Sequence, residues 1–121
     1  MRIVEMSSIL TDVKHKIGPS EDYDYFDPDI IDNINEAFAV LNQLGLGPDE
    51  GFQIDGTAQE WEEFTTDTIM LNMIKQYVYK KVRVGFDAPN NSSHLTNLND
   101  QISELEWRLN VEADPKQEVS S

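Results

Sequence analysis

Two histidines and no cysteine make up the strong nitrogen and sulfur ligands of this chain. His15 and His94 stand far apart, neither with a second ligand at helical spacing, so a histidine metal site is not indicated. A chain without cysteine offers neither a disulfide framework nor a thiolate site. His15 sits between Lys14 and Lys16 and reads as part of a solvated helix face. The series Asp22, Asp24, Asp27 and Asp29 superficially matches a calcium loop, but Pro28 interrupts it, and the glycine and glutamate such a loop requires are missing. Weak cation binding is the most it offers. LGLGPDEG is rich in glycine yet lacks the lysine of a phosphate cradle. Paired carboxylates abound, but so acidic a composition makes such pairs by chance, and they carry little weight for acid/base catalysis. The expectation is a protein that is not an enzyme and holds no cofactor or metal.

Charge is the stronger signal. The net charge is −14, and residues 17–74 hold fourteen Asp or Glu without one Lys or Arg. Lys75, Lys80, Lys81 and Arg83 form a compact basic cluster instead. Free nucleic acid is a poor ligand for such a surface, because phosphate binding needs a basic footprint. The acidic half reads in three ways: a solubilising surface, a wall past which DNA slides without sticking, or a DNA mimic that occupies a basic partner. The basic cluster is either the solvated side of a helix or a contact with the acidic half of an adjacent subunit.

The elements that would carry these charges are helical. The fold class read from periodicity is all-α: a small bundle of four to five helices ending in a long antiparallel pair, with Phe52–Ile54 as a minor extended segment. The first helix covers about Met6–Ile17, capped by Ser7 or Ser8, with Ile9, Leu10, Val13 and Ile17 buried and Gly18 and Pro19 ending it. Asp27 is read as the cap of the second, with Pro28 at its first position. Ile30 or Ile31, then Ile34, Phe38, Leu41 and Leu44 mark its apolar face, and Gly45 its end. Thr57 and Glu60 match a T-x-x-E capping box ahead of a short helix bearing Trp61 and Phe64.

Asp67 starts the first long helix, with Met70, Ile74, Tyr77, Val78 and Val82 on one face. After a turn over Asp87–Ser92, in which Ser92 or Ser93 is the expected cap, Leu95, Leu98, Ile102, Leu105 and Leu109 form a narrow seam. Residues 1–110 read as one domain and 111–121 as a flexible tail. The start MRIVEMSSILTD has no signal-peptide run and no stretch approaches a bilayer span, so a soluble protein made inside the cell is expected.

The tract KQYVYKKVRVGFDAPNNSSHLTNLNDQISELEWRLNVEAD resembles the C-terminal half of small head-tail connector (adaptor, head completion) proteins of tailed bacteriophages. Tyr77 to Phe86 followed by Asp87, Ala88 and Pro89, with Glu104, Glu106, Trp107, Arg108 and Leu109 closing the last helix, carries most of the likeness. The order of elements extends it over roughly 7–110. The resemblance implies a virion protein made in the bacterial cytoplasm and placed at the neck, in a closed ring of typically about twelve copies under the portal protein. It also implies a downstream head-closure or tail protein as partner, and DNA passing through the lumen without specific binding.

On that reading Lys75, Lys80, Lys81 and Arg83 are candidates for the subunit interface, and Asp29, Asp32 and Glu36 for the channel wall. Trp107, Arg108, Val111 and Glu112 are candidates for a portal or neighbour contact. Trp107 lies off the leucine seam, and two placements stay open, a cap on the core or an exposed anchor. Glu104 and Arg108 are spaced as an i, i+4 pair. The rival reading is an acidic DNA-mimic inhibitor of a host DNA-binding protein; a generic acidic interaction module is the third.

Overall fold

A computed structural model describes residues 8–18 and 24–113. Five helices appear: α1 (Ile9–Ile17), α2 (Asp27–Gln43), α3 (Trp61–Phe64), α4 (Thr68–Asp87) and α5 (Ser92–Ala113). No strand occurs among the described residues, and the chain is all-α with α4 and α5 packed together. α4 is the pillar: α1, α2 and α5 all pack on it. Its buried residues Leu71, Ile74, Tyr77, Val78 and Val82 meet Ile9, Leu10 and Val13 of α1 and Ile30, Ile34, Phe38 and Leu41 of α2 in one core.

The ends of the helices follow their local chemistry. Ser8 caps α1, its hydroxyl accepting from Thr11 N at 3.3 Å, so the helix begins at Ile9; Met6 and Ser7 lie outside the described residues. α2 closes in a Schellman arrangement, with Leu46 N donating to Leu41 O and Gly45 N to Asn42 O. Gly45 adopts φ 99°, the left-handed conformation that this closure needs and glycine tolerates. Asp67 caps α4 by accepting from both Ile69 N and Met70 N at 3.1 Å.

Several local expectations are corrected. Asp27 is the first residue of α2 rather than its cap; Phe26 holds the cap position, and the Asp27 carboxylate is taken by Lys14. The capping box lies at Glu60 and Glu63, where Glu60 N donates to Glu63 Oε2 at 3.1 Å, while Thr57 is exposed. The reason is tertiary: Ile9 N donates to Gln59 O, and Glu60 pairs with Ser8 in an antiparallel bridge, so the backbone stays extended through Glu60.

Asn91, not a serine, starts α5, its side-chain oxygen accepting from Ser93 N at 2.8 Å and His94 N at 3.1 Å. α5 reaches Ala113, so Val111 and Glu112 are helical instead of part of a tail, and residues 114–121 lie outside the described ones.

The Phe52–Ile54 segment forms no strand but contributes to the core. Ile54 is buried, and Phe52 packs edge-on against Phe38 and Phe64. Asn35 of α2 holds this segment in place of a strand neighbour: its amide donates to Ile54 O at 3.0 Å and accepts from Ile54 N at 2.8 Å.

Candidate functional site

The two flanks of α4 differ in charge. On one, between the end of α1 and the middle of α5, a groove of about 240 Å³ is lined by Lys16, Ile17, Gln76, Tyr79, Lys80, Arg83, Leu98 and Gln101. It runs on into a shallow depression toward Pro89 and His94, with Arg83, Leu98 and Gln101 shared. Lys80 and Arg83 stand one turn apart on the same face of α4, and α1 adds Lys16 opposite them. Lys80 Nζ donates to Gln76 Oε1 at 3.3 Å, and Lys16 Nζ lies 5.4 Å from the centre of the Tyr79 ring.

The four-residue basic cluster seen in the sequence is thereby divided. At about 100° per residue, Lys81 points well away from Lys80 and roughly 200° from Arg83. Lys75 turns to α3, its ammonium 5.6 Å from the centre of the Trp61 ring. Lys16 takes their place in the groove; its addition depends on the packing of α1 against α4, which no local pattern announces.

On the other flank α2 crosses α4. Asp29, Asp32 and Glu36 are exposed and share one face of α2. Asp29 and Asp32 rim a cleft floored by Phe26, Asn33, Gly85 and Phe86, in which Phe26 and Phe86 meet edge-on at 5.3 Å. The crossing is close because residue 85 is glycine: a Cβ there would overlap the Asn33 amide. Gly85 lies two positions beyond Arg83, and at about 100° per residue this puts the groove and the cleft on opposite sides of α4.

Buried polar contacts tie these flanks together. The Tyr77 hydroxyl donates to Glu106 Oε2 at 2.7 Å, joining α4 to α5. Burial, and then the Glu106 and Glu36 carboxylates, push its pKa far above the usual tyrosine value. Tyr79 is pushed up to about 12 by burial and the charge of Asp12. Asp12 also accepts from Trp61 Nε1 at 2.8 Å. Lys14 is the one strongly buried cation among the described residues, and its ammonium meets Asp27 Oδ1 at 2.8 Å. Of the calcium-like series, Asp27 is engaged by a lysine and Asp22 lies outside the described residues; among the described residues there is no group of three His, Cys, Asp or Glu that could hold a metal ion. Lys14 is legible in retrospect as a long-stemmed cation on the same face as Leu10 and Val13.

The outer side of α5 is unlike either flank. Trp107 is 67% exposed and Val111 47%, one turn apart, with Arg108 and Glu112 exposed beside them. Placement of Trp107 as a cap on the core is thus corrected. It follows the seam on the opposite side, where Ile102 and Leu109 are the buried residues of the helix. No ion pair joins Glu104 to Arg108 among the described residues. Among the described residues no helix is long and apolar enough to cross a membrane.

Comparison with curated proteins and with solved structures gives no significant match in either. A protein family described as phage connector protein matches residues 9–116, which takes in all five helices and both flanks of α4. With nearly the whole chain covered, the protein belongs to the phage connector protein family.

Proposed function

We propose that this protein is a virion structural component that assembles as a closed ring beneath the portal, joins head to tail and extends the DNA channel after packaging. The observation that carries the proposal is the family match over residues 9–116. The shape of the molecule supports it. A rigid core built on α4 leaves three separate surfaces for neighbours: the cationic groove, the acidic face of α2 and the apolar strip Trp107–Val111 on α5. A ring subunit needs at least two different lateral surfaces and an axial one.

In this reading the function is geometric. The strip formed by Trp107, Arg108, Val111 and Glu112 is the axial contact, to the portal or to the downstream head-closure or tail protein. An exposed tryptophan beside an arginine is the composition that carries binding energy at interfaces. DNA passes a predominantly acidic protein without adhering; at a screening length of about 8 Å, only carboxylates near the lumen act on it. A DNA-mimic inhibitor would need a long row of carboxylates, and α2 exposes only Asp29, Asp32 and Glu36 in line.

Quantitative peptide mass spectrometry of purified tailed particles tests the proposal. A copy number matching that of the portal protein is expected. Absence from particles, with abundance in infected cells, contradicts it.

A further inference from the structure

We infer that the groove of Lys16, Lys80 and Arg83 receives the acidic face of α2 from a second copy of this chain, Asp29 and Asp32 foremost. The inference rests on the ring reading above and gives that ring its lateral contact.

Three observations lead to it. The groove gathers three cations in a chain of net charge −14, and no Asp or Glu among the described residues lines it. None of the three forms an ion pair among the described residues, although acids outnumber bases 23 to 9. Second, Gln76 and Gln101 add neutral amides, and Tyr79, Ile17 and Leu98 add apolar walls, so an entering carboxylate helix would find hydrogen-bond donors and contact area as well as charge. Third, Asp29, Asp32 and Glu36 stand exposed on one face of α2, with spacing that spans about two turns, or roughly 10 Å.

Placement decides the kind of assembly. The groove and the α2 face lie on opposite sides of the C-terminal half of α4, so one molecule cannot join them to each other. A contact between different surfaces is heterologous, and its repetition gives a ring where the rotation closes, instead of a two-fold dimer. Asp29, Asp32 and Glu36 are then consumed in the lateral contact, and the lumen is lined by other carboxylates.

The absence of cysteine makes a clean test possible. Asp32→Cys and Gln101→Cys are introduced together into the gene, tailed particles are purified, and the chain is resolved without reductant after mild oxidation. Copy number is measured on the same particles. A ladder of covalent multimers is expected, with each single variant giving no more than a trace of dimer. The chain present at portal copy number without a ladder overturns this contact and leaves the connector reading standing. The wild-type chain absent from particles overturns both. Should the doubly substituted chain fail to incorporate, charge reversal decides. Lys80→Glu with Arg83→Glu is expected to lower incorporation at least tenfold, and adding Asp29→Lys with Asp32→Lys to restore most of it. Unchanged incorporation of the Lys80→Glu, Arg83→Glu chain, or no restoration, overturns the contact.

Discussion

The chain has two tryptophans, and they mark two regions built on different terms. Trp61 has no exposed surface: Phe38 and Tyr79 pack against its ring, Lys75 lies over it, and Asp12 accepts its N–H. Trp107 keeps two thirds of its surface in water on a helix that buries only Ile102 and Leu109. Around Trp61 every polar atom of the ring has a partner within the fold, as stability requires of a buried indole. The surface around Trp107 leaves apolar area unspent, as expected of a helix whose second partner is another molecule. α4 is therefore the element that holds the fold together, and the outer side of α5 the one that keeps apolar surface in water.

The largest effects should fall on the α4 side of this comparison. Ile74→Ala removes a fully buried side chain of the core that α4 shares with α1 and α2, and is expected to cost about 2–5 kcal/mol. Leu95→Ala, on a half-exposed position of α5, is expected to cost about 1 kcal/mol or less. Denaturant midpoints of the two variants compare the helices directly, and equal losses would break the distinction. Next comes the Lys14–Asp27 pair. Asp27→Ala removes the ion-pair partner of a lysine that is 3% exposed and should cost about 2 kcal/mol, less than for a fully buried pair because Asp27 is partly in water. Lys14→Met, which keeps the volume and removes the charge, should be close to neutral by the same measurement.

Those first expectations also bear on how much of the molecule could be read from its residues. The helices could, because Ile30, Ile34, Phe38 and Leu41, or Ile74, Tyr77, Val78 and Val82, recur at helical spacing, and burial follows that spacing. Caps were harder. Thr57 and Glu60 match a capping motif, but the helix cannot start there while Gln59 and Glu60 are engaged by Ile9 and Ser8, some fifty positions away in the chain. Asn91 competes with Ser92 and Ser93 on nearly equal local terms, and only the backbone path selects it. The groove was half legible: Lys80 and Arg83 share a face by spacing, but Lys16 joins them through the docking of α1, and Lys81 is lost from them by a rotation of one residue. Exposure of Trp107 was undecidable from the seam alone, since a position off the seam can still be covered by another element.

Smaller effects sharpen the account of the α2–α4 crossing. A glycine within a helix normally gains about 1 kcal/mol on replacement by alanine. Gly85→Ala should gain none of this, because the new methyl displaces the Asn33 amide from its 2.9 Å bond to Asp29 O. Asn33→Ala should release the gain, so a double-mutant cycle in denaturant is expected to show coupling of about 0.5 kcal/mol or more.

Alkaline pH probes the buried tyrosines. Tyr77 and Tyr79 both hold their protons more tightly in the folded protein than in the unfolded chain. Their contribution is thus complete below about pH 10, the ordinary tyrosine value. For Tyr79 it is lost as the pH rises toward about 12. Stability should stay level with respect to these groups up to that range and then fall, and Tyr79→Phe should make the fall shallower. Least of all, Trp107→Ala should leave stability within about 0.5 kcal/mol while weakening assembly onto the particle.

The most direct measurement of the claim that α5 faces a partner is hydroxyl-radical footprinting of both tryptophans, in the free protein and in purified tailed particles. Trp107 should be oxidised readily in the free protein and become protected in the particle, while Trp61 stays unreactive in both. Trp107 equally reactive in a particle that contains the chain at portal copy number would contradict the account.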